Sequence, residues 1–347
     1  MSPKPNLDLL RAIAVVLVLV DHVMLAIGAS LPWGWQASNI GLFGVYLFFV
    51  HTSLVLMWSL ERRPNVPDFY IRRVFRIYPL AIVMILLAVV TRAPVGGDPH
   101  TYFHAAVVSP RSILFNCLLV FDIVKASPII YSVTWSLPPE IYMYVLLPAL
   151  FFYARTIRMI WPLVLLWALA GLIAHHLIPS ALGNNILVVS PDFICGVIAY
   201  VGFMRRRENL PSWVLVPLLA LLFCLYMSFQ NIRMDYFCCL ALSLILPRIR
   251  QFQAKTPEKI SHTVATYSYG IYLTHPFCIV LGLYVLAGKP FPLQLGVIVL
   301  SLAAASFAAY HLIERPMIGL GARVAARLAH ERGLPSEKSL DTLEPAP

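Results

Sequence analysis

Two side chains in the first apolar stretch, Arg11 and His22, are the natural place to look for chemistry. Their separation of eleven residues, at about 100° per residue, makes about three helical turns and sets them on one face, roughly 16 Å apart along the axis. A neutral imidazole such as His22 can take a proton from a hydroxyl near neutral pH. It can equally serve as a helix–helix hydrogen-bonding group. The Arg11 guanidinium offers a planar fork that suits a phosphate or carboxylate, while Asp8, three residues away, could hold it in a local salt bridge instead. Asp21 lies about 100° around the helix from His22, so adjacency alone is not expected to pair them.

Further candidates recur along the chain. GVYLFFVHTS places His51, Thr52 and Ser53 in mid-span, as interhelical hydrogen-bonding groups or as the lining of a site. FYIRRVFRIYPL sets Arg73 and Arg76 three apart, adjoining on a helix face and suited to phosphates. Arg62, Arg63 and Arg72 fit a simple basic cluster, whereas Arg76 lies inside a span. In YSVTWSLPPEIYMY, Pro138 and Pro139 open a helix and Glu140 falls in its first turn, where the dipole favours a carboxylate. Trp135 is an interface anchor or a platform for a sugar face, with Ser136 and Glu140 as hydrogen-bonding groups. ATYSYGIYLTHPF carries Tyr269, Tyr272 and His275 at i, i+3, i+6, with Pro276 kinking the helix beside His275. YHLIERPM ends in Glu314 and Arg315, which could be an end-of-helix ion pair, and Pro316, which marks a break.

The elements that must position these groups are membrane helices. The chain has 347 residues, 60% hydrophobic and 12% charged, about half the charged fraction of a soluble domain. Apolar runs cover 7–29, 40–60, 71–91, 139–154, 159–178, 186–204, 211–229, 232–247, 263–287 and 291–313. A further piece, 112–124, is too short to cross and suits a re-entrant or partly buried segment. The expected fold is an all-α polytopic membrane protein of about ten transmembrane helices plus that segment. The first run carries charges and no small-residue cleavage site, so it is expected to be retained. With ten crossings and both termini cytoplasmic, every Lys and Arg except Arg92, Arg111, Lys125, Arg233 and Lys289 lies at or near the cytoplasmic side. The net charge of +10 is then a topology signal and calls for no nucleic acid partner. The six cysteines sit in apolar runs without a CxxC pair, as buried thiols, and no metal site is expected. His175 and His176 look interfacial, and Asp192, Arg233 and Asp235 have no assigned role. Residues 1–319 are expected to form the membrane domain, and 320–347 a polar cytoplasmic tail, a helix that frays into disorder.

Taken in order, these motifs resemble the acyltransferase-3 family of bacterial integral-membrane acyltransferases, which includes O-antigen and exopolysaccharide O-acetyltransferases. LDLLRAIAVVLVLVDH, GVYLFFV, FYIRRVFRIYPL, TWSLPPE, YSYGIYLTHPF and LIERP match the family's elements from about residue 6 to 317. Tyr144 stands for the family's later Tyr. Tyr46 departs from the family's usual Asp, and His51-Thr52-Ser53 from its small-residue run. The resemblance implies a cytoplasmic acyl-CoA co-substrate, acetyl by default, with no other cofactor. It implies an acceptor hydroxyl on an extracytoplasmic or lipid-linked carbohydrate, in the bacterial inner membrane. Arg11 and His22 would be essential, with His22 as general base and Glu140 beside them. Arg73, Arg76 and Arg11 would hold the CoA. Trp135, Ser136, Tyr144, His51, Tyr272 and His275 would line the chamber or bind the acceptor. No fused hydrolase-like domain of the kind some members carry is expected, which leaves open a separate partner protein or a small acceptor that needs none. A transporter or flippase of a lipid-linked sugar or small amphiphile explains the buried charges and prolines equally well.

Overall fold

A computed structural model describes residues 4–96, 108–124, 128–157, 159–177, 186–205, 208–229 and 233–331. Lys125, Arg158, Arg206, Arg207 and the tail 332–347 lie outside the described residues, as do the side chains of His175 and His176. The chain folds as helices: α1 Pro5–Ala26, α2 Ala37–Arg62, α3 Val66–Thr91, α4 Pro110–Cys117, α5 Leu137–Thr156, α6 Trp161–Leu177, α7 Ile186–Arg205, α8 Leu215–Ser228, α9 Met234–Ile245, α10 Lys255–Ile279, α11 Phe291–Ala309 and α12 Arg315–Glu331. The only β-type pairing among the described residues is an isolated bridge between Leu210 and Ile249.

Local chemistry sets the helix starts. Asn65 caps α3 by accepting from the Asp68 amide at 3.1 Å, and a proline occupies its first turn. Ser109 and Ser112 form a reciprocal capping box at the head of α4. A 3₁₀ turn, Ser132–Ser136, feeds α5, so Glu140 does fall in its first turn.

Among the described residues seven helical runs are long and apolar enough to cross a membrane: Pro5–Ala26, Ala37–Arg62, Val66–Thr91, Ser132–Thr156, Val188–Arg205, Lys255–Val285 and Phe291–Glu331. This makes the chain an integral membrane protein. The remaining three expected crossings coincide with α6, α8 and α9, which are shorter. The 112–124 piece holds only the eight-residue α4 and turns, too short to cross.

α2 is the central helix, with buried residues in every turn from Ala37 to Leu60 and only its end, Glu61 and Arg62, exposed. It runs antiparallel to α1: Gly41 lies against Asp21, Gly44 against Ala14 and Val18, and Trp58 beneath the Lys4 ammonium at 3.9 Å. It runs parallel to α7, with Phe49 stacked on Phe193 at 4.5 Å, Ser53 against Gly196, and Trp58 against Phe203 at 5.2 Å. α1 and α10 are likewise parallel, meeting at Asp8–His262, Arg11–Ser268 and His22–His275. α8 and α9 form a hairpin whose ends meet where the Leu210 amide donates to Arg248 O at 2.8 Å. The far end of α8 reaches Trp35 through Phe223, ring centroids 6.0 Å apart. The bundle therefore has a Lys4 end and a Trp35 end.

One expected break does not occur. Residues 310–314 form a π turn and the helix continues through Pro316 into α12, which packs on α3 with Gly321 against Phe75. A π turn shifts the hydrogen-bond ladder by one residue, and Pro316 falls at the start of a new α register, where its missing N–H costs little. The stretch 320–331 belongs to this helix, with Gly321 and Ala325 buried.

Candidate functional site

Arg11 is the junction of the site. Its Nε donates to Ser268 Oγ on α10 at 2.6 Å, which aims the rest of the guanidinium into the bundle. Three adjoining cavities share it. The first opens at the Lys4 end between Lys4, Trp58, Arg62, His262 and Arg76. Burial lowers the Lys4 ammonium below the usual lysine range, against the pull of Glu208 and Glu61. The second, narrower, adds Arg73, Glu140 and Tyr144 to Arg11, His51 and Arg76. The third, also narrow, lies between Arg11, Phe48, Ser136, Glu140, Ser268 and Tyr272. Shared lining residues join the three in a row from the mouth to Tyr272.

Most predicted groups converge on this row. Arg73 and Arg76 face Glu140 across the middle cavity, and Tyr144 donates its hydroxyl proton to Glu140 one turn earlier on α5. His51 lines both the mouth and the middle cavity. At the closed end, Tyr272 OH donates to Val133 O at 2.7 Å and lies 2.7 Å from Ser136 Oγ. With the phenol proton on Val133, Ser136 donates to Tyr272, and neither hydroxyl proton is aimed at the chamber. Phe48 meets Tyr272 with ring centroids 6.4 Å apart.

His22 and His275 stand beyond this point and line none of these three cavities. Both are buried, and their rings meet edge to face at 4.7 Å. His275 in turn lies 6.0 Å from the Tyr272 ring. His22 Nδ1 sits 2.9 Å from Val18 O and 3.2 Å from Asp21 Oδ2. Both are acceptors, so Nδ1 carries the proton and Nε2 holds the lone pair. Trp135 is buried rather than at an interface, and it too lines none of the three cavities.

Three local pairings differ from the sequence-based expectation. Asp8 bonds His262 at 2.8 Å while Arg11 bonds Ser268, so no Asp8–Arg11 bridge forms. Glu314 pairs with Arg76 at 3.0 Å rather than with its neighbour Arg315. Asp21 does approach His22, because the imidazole leans back toward the preceding turn, as helical side chains do, and brings Nδ1 within reach of its neighbour. Ser268 was missed as the partner of Arg11. Its spacing held the signal, since Ser268, Tyr272 and His275 fall at i, i+4, i+7 on one face of α10.

All six cysteines are free. Among the described residues no group of three or more His, Cys, Asp or Glu is disposed to hold a metal ion.

No curated protein and no solved structure matches this chain. A family model described as an acyltransferase domain matches residues 4–311 of the 347. That span holds α1 through α11 and every cavity-lining residue named above. The chain therefore belongs to the acyltransferase-3 family and is a membrane acyltransferase.

Proposed function

We propose that the protein transfers an acyl group, acetyl first, from cytoplasmic acyl-CoA to a hydroxyl of an extracytoplasmic or lipid-linked carbohydrate. The observation that carries this reading is the row of three cavities running from a mouth with Lys4 and Arg62, past Arg73, Arg76 and Arg11, to Tyr272. A long, thin donor, anionic at one end and reactive at the other, suits that shape. The phosphates lie among the arginines, which bind them through planar forks. The pantetheine arm lies along α1 and α10, over the roughly 16 Å that separates Arg11 from His22.

At the far end His22 Nε2 takes the proton of the acceptor hydroxyl. The freed oxygen attacks the thioester carbon, the C–S bond breaks, and the thiolate takes the proton back from the imidazolium. The ester and free CoA leave. Because Phe48 and Tyr272 close the chamber short of His275, these two rings must part before the thioester reaches His22. Serine and tyrosine hydroxyls that bond each other at rest become donors to the substrate in that step. No metal or redox cofactor is required by this chemistry.

The membrane topology that goes with it has ten crossings, both termini cytoplasmic, in a bacterial inner membrane. The Lys4 end is then the cytoplasmic one.

Purified protein in detergent is offered [14C]acetyl-CoA with a crude envelope glycan extract, beside His22→Ala. Label entering glycan with the wild type alone is the expected result. Transfer by His22→Ala at near the wild-type rate, with equal expression, would remove the base assignment. Movement of a lipid-linked sugar across vesicles without acyl-CoA, and no transfer, would favour a flippase.

A further inference from the structure

We propose that Asp21 is a positioning residue for His22, forming a carboxylate–imidazole pair between sequence neighbours, and that Gly41 on α2 is the space that admits the carboxylate. This rests on the reading of His22 as base.

The geometry is specific. Asp21 and His22 are both buried, at 1% and 3% exposure, on a face of α1 turned into the bundle. Asp21 Oδ2 lies 3.2 Å from His22 Nδ1, and Asp21 Oδ1 has no hydrogen-bond partner. A buried carboxylate with one idle oxygen is expensive to keep unless it serves something nearby. α2 meets Asp21 with Gly41, where a Cβ would stand 2.3 Å from Oδ2 and 2.7 Å from the carboxyl carbon. Any other residue at 41 would push the carboxylate away from His22. From α10 the group facing the pair is His275, edge-on to His22 at 4.7 Å. No arginine or lysine is paired with Asp21 among the described ion pairs. The charge at Asp21 therefore acts on His22 and on little else. Val18 O and Asp21 Oδ2 together hold the proton on Nδ1, which keeps the lone pair of Nε2 for the substrate. When Nε2 accepts the hydroxyl proton, the imidazolium forms beside a carboxylate in a water-poor site, where that charge counts most.

The test is 15N NMR of the full-length protein in nanodiscs with labelled histidine rings, the His22 signals being assigned from their loss in His22→Gln. Asp21→Asn keeps size and removes charge. It should move the His22 titration down by about one pH unit or more, tenfold in the protonation constant. Asp21→Glu should restore part of the shift. Gly41→Ala should move it the same way with Asp21 still present. In parallel, transfer from [14C]acetyl-CoA by Asp21→Asn should lose kcat with KM for acetyl-CoA unchanged, because the CoA cavities are lined by other residues. An unaltered His22 titration in Asp21→Asn overturns the proposal. A shift in Asp21→Asn without one in Gly41→Ala overturns the part assigned to Gly41. Equal losses in KM and kcat would reduce Asp21 to packing. The base reading fails separately, if His22→Ala still transfers label.

Discussion

The Glu314 side chain is wholly buried, and its carboxylate is met by Arg76, 22% exposed, at 3.0 Å. Removing either partner leaves a charge without its counter-charge, a loss of about 3–5 kcal/mol when the survivor is buried. The two cuts are unequal. Arg76→Ala strands a carboxylate with no access to water, whereas Glu314→Ala strands a guanidinium that still touches the cavity at the mouth. Thermal unfolding in detergent should therefore fall further for Arg76→Ala than for Glu314→Ala, and the double variant should lose less than the sum. Tyr272→Phe is a milder cut. It removes the donation to Val133 O and the contact with Ser136, about 1 kcal/mol of stability, and should lower transfer more than it lowers the melting point. Helical arithmetic was enough to place Arg11 and His22 on one face, because that relation lies within one helix. The partners Ser268, His262 and Arg76 come from other helices in the fold, and local spacing holds no information on which helices meet. Where side-chain direction decided, as with Asp21 and His22, backbone angles alone misled.

Contacts between helices depend on a few positions without side chains. At Gly196 a Cβ would stand 1.8 Å from Ser53 Oγ and 2.4 Å from Val50 O, so α7 lies directly on the α2 backbone there. The same holds at Gly44, where a Cβ would meet Ala14 O at 2.6 Å. Small residues at such crossings let helices pack when no hydrophobic force drives them together in lipid. Backbone atoms cannot turn aside as a side-chain tip can. Gly196→Ala should accordingly separate α2 from α7 and reduce folded protein on size-exclusion chromatography several-fold. Gly296→Ala, on α11 with no neighbouring atom within 4 Å, provides the control. It should be neutral or slightly stabilising, by up to about 1 kcal/mol of helix propensity. The ten apolar runs were readable as helices because length and hydropathy are properties of the segment itself. The π turn at Tyr310–Glu314 was not, since a proline pattern does not distinguish a break from a shifted register.

Helix directions bear on the whole molecule through parity. α2 and α7 are parallel, so an odd number of crossings must separate them. The long runs α3 and α5 supply only two, and among the described residues α6, with seventeen residues, is the one intervening α-helix left besides the eight-residue α4. α1 and α10 are parallel as well, which requires an odd number between them. With α6 counted, α2, α3, α5, α6 and α7 satisfy this, and the α8–α9 hairpin leaves the parity unchanged by going out and back. If α6 spans, in spite of its length, these directions are met by eight crossings, and by the proposed ten where the α8–α9 hairpin spans as well. Glu208, just after α7, is the position that decides it. With α6 crossing, Glu208 lies on the same side as Arg62; without it, on the side of Trp33. Single cysteines at Arg62, Glu208 and Lys255, and at Trp33, Arg92 and Lys289, all exposed, are placed in a Cys224→Ser background that removes the exposed native thiol. A membrane-impermeant maleimide added to intact spheroplasts should label the second set and reach the first only after lysis. Labelling of Glu208→Cys in intact spheroplasts, alongside Trp33→Cys, would mean that α6 turns back. It would put the mouth of the cavities and the α7 terminus on opposite sides, incompatible with the contact of Lys4 with Phe203 at 4.4 Å. Labelling of Arg62→Cys in intact spheroplasts, with Trp33→Cys protected until lysis, would instead invert the bundle and turn the arginine-lined mouth away from the compartment that supplies acyl-CoA.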